Sequence, residues 1–131
     1  MEDHTLESMD SGPATLVVKV TCGTEALERL NQEFTVAATA LAADVEVSLW
    51  LTGDSTRTML PGGAEGVELP YAVPLADLRD TLLDGARVTV CAQCAARRGI
   101  TEDDVLAGVV IRGAAAFVEE VMAPGARALV Y

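Results

Sequence analysis

Two of the three cysteines, Cys91 and Cys94, stand in C-x-x-C spacing inside VTVCAQCAARRG, Val88 to Gly99. The β-branched run before Cys91 has the composition of a buried strand, and the alanine-rich segment after it that of a short helical turn. One thiol is therefore expected at a strand's carboxyl end and the other about one turn further on. A thiol at the start of a helical turn feels the positive end of the peptide dipoles, which favours thiolate and hence nucleophilicity. Arg97 or Arg98 falls one turn beyond Cys94 and would add to the effect; the alternative is that both are solvated helix charges. Three readings of the pair stay open on spacing alone: small cysteines packed under a helix, thiol–disulfide exchange, and metal ligation. Zinc needs four ligands, and only Cys22 offers a plausible third, the single histidine, His4, being remote near the amino terminus. No metal site and no cofactor is expected.

The elements that would position these thiols follow in chain order. Ala14 to Thr21, ATLVVKVT, reads as a first strand, and Cys22-Gly23-Thr24 as a tight turn into a helix that Thr24 could cap. Its apolar stripe is Leu27, Leu30, Phe34, Ala37, Ala38 and Leu41. From Val36 to Ala43 the helix is apolar nearly all round, so this end should be covered by another element or another subunit. Val45 to Leu51 is the second strand, followed by Thr52-Gly53-Asp54 and a long Pro- and Gly-rich loop to Val73 that could hold one irregular helical turn. Pro74 suits the first turn of a helix striped by Leu75, Leu78, Leu82 and Leu83 and ended at Gly85. Arg87 to Val90 is the third strand. Thr101 with Asp104 has the form of a capping box, which predicts a short helix ending near Gly108. Val109 to Ile111 fits either a short strand or an extended connection. Gly113 to Met122 reads as a helix and Arg127 to Tyr131 as a last strand.

Alternating strands and helices predict an α/β fold: a three-layer α/β/α sandwich with a mostly parallel sheet of about five strands and right-handed crossovers. The carboxyl ends of parallel strands share one edge, where ligands bind. Cys22, the Thr52, Gly53 and Asp54 turn, and Cys91 to Cys94 should converge there as a binding and catalytic edge, with a buried structural cysteine the preferred reading of Cys22. Residues 1–13 are expected to be a flexible tail and 14–131 a single domain.

Composition narrows the partners. The chain of 131 residues carries a formal net charge of −11, with 9 basic against 20 acidic side chains and Lys19 as its lone lysine. That balance argues against a nucleic-acid footprint. No apolar run reaches the length of a membrane span, and the acidic start MEDHTLESMDSGP lacks the pattern of a signal peptide. With three cysteines, too few for a secreted scaffold, a reduced cytoplasmic setting is expected.

The pattern resembles the DsrE/DsrF/TusD-like sulfur-relay family, from about Leu16 to Tyr131. The resemblance rests on VCAQCAARRGI, Val90 to Ile100, with support from LTGDS, Leu51 to Ser55, and TEDDVLAG, Thr101 to Gly108. It implies a DsrE-like, flavodoxin-like fold, often assembled as a homo-oligomer, trimer or hexamer. It also implies a protein that accepts sulfur as a cysteine persulfide from a donor protein and relays it to an acceptor protein. On the spacing to Arg97-Arg98-Gly99, the family's sulfur-accepting cysteine maps to Cys91. Cys94 then gives a dithiol where the simplest members have one thiol, and would serve as alternative carrier or resolving thiol. Two other functions are kept: a non-catalytic oligomer subunit or small-ligand binding protein with structural cysteines, and a C-x-x-C oxidoreductase. The family includes members without the cysteine, so fold alone does not certify a sulfurtransferase.

Overall fold

The computed structural model describes residues 14–131; the expected tail, with His4, lies outside them. Five strands alternate with helices: β1 (Thr15–Val20), α1 (Leu27–Ala42), β2 (Glu46–Leu51), α2 (Leu75–Gly85), β3 (Arg87–Cys91), α3 (Ala92–Arg97), β4 (Val109–Arg112), α4 (Ala114–Val121) and β5 (Ala126–Val130). The strands form one sheet in the order β4-β3-β2-β1-β5. Every pairing is parallel, so all carboxyl ends meet at one edge, as expected.

Period-two alternation sends the side chains of each strand to two different layers. Val18 and Val20, Leu49 and Leu51, and Val88 and Val90 face α1 and α2 and meet Leu30, Phe34, Ala37, Leu75 and Leu82, all buried. Each such side chain contributes about 1.5–3 kcal/mol by leaving water. At the apolar end of α1, α2 covers Leu41, which packs against Gly85 so closely that a Cβ there would stand 2.9 Å from Leu41 Cδ2.

The other face carries Lys19, Trp50 and Thr89, aligned across β1, β2 and β3, and α4 covers it. Phe117 meets Trp50 edge-on, with ring centroids 5.3 Å apart. Glu120 accepts hydrogen bonds from Ser48 Oγ at 2.5 Å and Trp50 Nε1 at 3.0 Å. This layer is thin: no α4 residue is fully buried, and Val118, Met122, Leu129 and Val130 are exposed.

Two local features depart from the sequence reading, the start of α1 and residues 101–108, while the long loop holds the irregular helical turn expected of it. Thr24 does not cap α1 but begins a 3-10 turn, Thr24–Ala26, where Glu25 Oε1 accepts the Gly23 N–H at 2.8 Å. The long loop opens with a second 3-10 segment, Gly53–Met59, and Arg79 of α2 ties it down through Glu65 and the Thr58 carbonyl. Residues 101–108 form turns, not a helix. The expected bond is made, Thr101 N–H to Asp104 Oδ2 at 2.7 Å, but it closes only a turn, and Leu106 N–H bonds to the Met59 carbonyl instead of a helical partner. The ambiguous Val109 to Ile111 is strand, paired with β3.

Candidate functional site at the carboxyl edge of the sheet

β3 ends at Cys91, whose backbone is still extended (φ −64°, ψ 127°), and α3 begins at the next residue. Cys91 thus occupies the cap position of α3 and Cys94 its third residue, positions whose side chains face each other in a capping box. Both thiols are free and half-buried. Partial burial alone would push the Cys91 thiol up. Against it act the Cys94 thiol and amide, the Gln93 amide and the Lys19 ammonium, and the net pKa is lowered. These donors polarise the sulfur without closing a hydrogen bond that caps the helix.

Lys19 is the residue that sequence reasoning missed. It lies on the same sheet face as Cys91, since Lys19 aligns with Trp50 and Thr89, and Cys91 follows Thr89 by two residues. Its ammonium rests 4.9 Å from the Phe117 ring centroid, a cation–π contact that holds the half-buried side chain in place. The available signal was a lone lysine inside an otherwise apolar strand.

The arginines take other positions from those expected of thiolate neighbours. Arg98 donates from Nε to Asp54 Oδ1 at 2.8 Å and from Nη1 to the Cys94 carbonyl at 3.1 Å. Arg98 holds the Asp54 carboxyl below its usual range, with Arg57 adding to the effect. Arg98 therefore ties the loop after β2 to the first turn after β3. Arg97 is exposed.

The three strand-end loops do converge. Thr52 donates from its amide at 2.9 Å and its hydroxyl at 2.7 Å to the Val20 carbonyl. Gly53 adopts a positive φ of 58° to turn the chain. Gly23 packs against Asp54 so closely that a Cβ would stand 2.7 Å from Asp54 Cβ. Cys22 shares the edge but not the surface: it is buried, with Sγ 3.8 Å from Glu33 Oε1. Burial, followed by the Glu33 charge, raises its pKa, so it is held as a neutral thiol. Glu33 is itself buried, with Oε2 lacking any hydrogen-bond partner, and burial pushes its pKa up to about 7.

Among the described residues no group of three His, Cys, Asp or Glu side chains could hold a metal ion, and no helix is long and apolar enough to cross a membrane. An open depression of about 570 Å³ beside Arg98 is lined by Arg57, Pro61, Gly99 and Asp103; it borders the loops and not the thiols.

Residues 16–130 match the model of the DsrE/DsrF-like family. The chain is 32% identical over 108 residues to an uncharacterized protein, MJ0760, of Methanocaldococcus jannaschii; the match takes in 82% of this chain but only 39% of that protein. The fold is similar to the crystal structure of the ychN protein from E. coli, with a TM-score of 0.72 and 16% identity, over 92% of this chain and all of that one. It is also similar to MTH1491, a protein of unknown function from Methanobacterium thermoautotrophicum, with a TM-score of 0.57 and 15% identity over the same shares.

Proposed function

We propose that this chain, which belongs to the DsrE/DsrF-like family, accepts sulfur as a persulfide on Cys91 and passes it to a partner protein. The observation that carries this reading is Cys91 itself: a half-buried thiol at the carboxyl end of a central strand, its pKa lowered by surrounding donors and by Lys19. In the loading step the Cys91 thiolate attacks the outer sulfur of a donor persulfide. A Cys91–sulfur bond forms, the donor's S–S bond breaks, and the donor leaves as a thiolate. An acceptor thiolate then attacks the same outer sulfur and returns Cys91 as the leaving group. Lys19 stabilises the anionic Cys91 at the start and end of the cycle. Asp54 and Arg98 set the loop against which donor and acceptor dock, with Thr52 and Gly53 shaping its turn.

Self-association belongs to the same proposal. Val118, Met122, Leu129 and Val130 expose apolar surface on α4 and β5, a composition suited to contact with a second copy. Light scattering gives the stoichiometry, and a monomer at working concentration removes this part of the reading.

The loading step is tested by incubating the reduced chain with glutathione persulfide and measuring intact mass. A reducible gain of one sulfur atom in Cys94→Ser that is absent from Cys91→Ser supports loading on Cys91. If neither wild type nor Cys94→Ser gains sulfur, and wild type releases no hydrosulfide, the cysteines are structural and the protein is a binding or assembly subunit.

A further inference from the structure

We infer that, when no acceptor protein is docked, Cys94 resolves the persulfide on Cys91 internally, so that the outer sulfur leaves as hydrosulfide and a Cys91–Cys94 disulfide remains. This deepens the persulfide reading and rests on it.

The placement of the two cysteines carries the inference. Cys91 caps α3 and Cys94 is its third residue, the relation in which side chains reach back across the first turn. Both thiols are free and half-buried in one structure. The turn that holds Cys94 is clamped from outside: its carbonyl accepts from Arg98 Nη1 at 3.1 Å, and Arg98 is anchored on Asp54 at 2.8 Å. Ile100 N–H also bonds back to the Ala95 carbonyl at 2.9 Å. The Cys94 side chain lies within hydrogen-bonding reach of the Cys91 sulfur, while any external acceptor must diffuse to it. Cys22, the third thiol, is turned into the core against Glu33 and takes no part.

The sulfur that Cys94 meets is Cys91 Sγ, the inner sulfur of a persulfide. Attack there forms the Cys91–Cys94 S–S bond and breaks the bond between Cys91 Sγ and the outer sulfur. The outer sulfur leaves with that bond's electron pair and its own proton as hydrosulfide, and the Cys94 proton passes to solvent. The outer sulfur is reduced and Cys94 is oxidised, so the step needs no further reactant. Hydrosulfide is a more acidic leaving group than an alkyl thiol, which favours attack at the inner sulfur. An external dithiol then reduces the disulfide and restores both thiols. In a reaction sequence the protein would follow a persulfide-forming reaction and precede one that consumes sulfide.

Reduced wild type, Cys94→Ser, Cys94→Ala and Cys91→Ser are each treated with one equivalent of glutathione persulfide, with hydrosulfide and intact mass followed together. Wild type is expected to release one hydrosulfide per chain beyond the Cys91→Ser background and to end two hydrogens lighter, without retained sulfur. Both Cys94 variants are expected to keep the extra sulfur and release only background. Wild type that retains sulfur as fully as the Cys94 variants overturns internal resolution and leaves the relay standing. Failure of all four chains to gain sulfur or release hydrosulfide overturns the persulfide reading itself, and the inference with it. Circular dichroism of the Cys94 variants separates lost folding from lost chemistry, and agreement between serine and alanine keeps the test valid if one of them is poorly folded.

Discussion

Glu33→Gln should abolish a pH dependence that Glu33 imposes on stability. The folded carboxyl has a pKa of about 7 against 4.5 for the free side chain, so the folded state holds this proton more tightly than the unfolded state. Below pH 4.5 the group is neutral in both states and costs nothing. Between 4.5 and 7 the unfolded chain ionises while the folded chain does not, and stability falls as pH rises; above 7 the loss is complete. The full shift corresponds to about 3 kcal/mol at 1.36 kcal/mol per unit, which solvent screening reduces to about 2 kcal/mol. Glutamine copies the neutral acid in shape, so the two proteins should be of similar stability near pH 4.5 and diverge on going to about pH 8. With a urea slope near 2 kcal/mol per molar, the midpoint difference opens by about 1 M. Urea unfolding of both proteins across this range measures it, and titrating groups that do not interact with Glu33 cancel in the difference. Parallel stability profiles for the two proteins would refute the claim that burial perturbs Glu33.

Lys19→Met should raise the Cys91 pKa and slow its alkylation at neutral pH by about two- to five-fold, the scale of a screened charge pair; a pH profile of iodoacetamide labelling in a Cys22/Cys94-free background reads it, and an unchanged profile removes Lys19 from the site. Glu120→Ala leaves the buried Trp50 indole N–H without its acceptor and should cost about 1–3 kcal/mol by thermal unfolding. Gly23→Ala places a Cβ 2.7 Å from that of Asp54, so it should destabilise by about 1–3 kcal/mol and alter the Asp54–Arg98 contact; a melting temperature equal to wild type would mean that the two loops separate freely.

Most of the fold is legible because strands and helices here announce themselves locally. ATLVVKVT and VEVSLWL are β-branched and apolar, and the leucine spacings of α1 and α2 have one clear period. The segment after Gly99 misleads for a physical reason: Thr101 and Asp104 make the capping bond, but the next residues are held by Met59 from a distant loop, and no local pattern encodes that contact. Glu33 falls between Leu30 and Phe34 without being apolar, so nothing in the local pattern marks it as buried. In the fold it is buried and meets Cys22, 11 residues earlier in the chain, at 3.8 Å. Arg98 was read as a companion of the thiols because it is close to them in sequence. Its guanidinium instead bridges to Asp54, a residue of another loop.

The parity of the strands separates the two candidate cysteine positions. In β1, Val18 and Val20 face the layer of α1 and α2; Cys22 continues that alternation and enters the core beside Glu33. In β3, Val88 and Val90 face the same layer, so Cys91 falls on the opposite side, with Thr89 and the aligned Lys19. One residue of register therefore decides whether a thiol at this edge lies in the core beside a buried carboxyl or on the face of the aligned Lys19. Insertion of one residue within β3 would exchange those fates by turning Cys91 toward the apolar layer. The odd–even placement of the cysteine relative to the valines puts Cys91 on the Lys19 face, and the C-x-x-C spacing adds the Cys94 amide and thiol, which lower its pKa more than Lys19 does. The spacing governs the next event, because it alone supplies a second thiol across the first turn of α3.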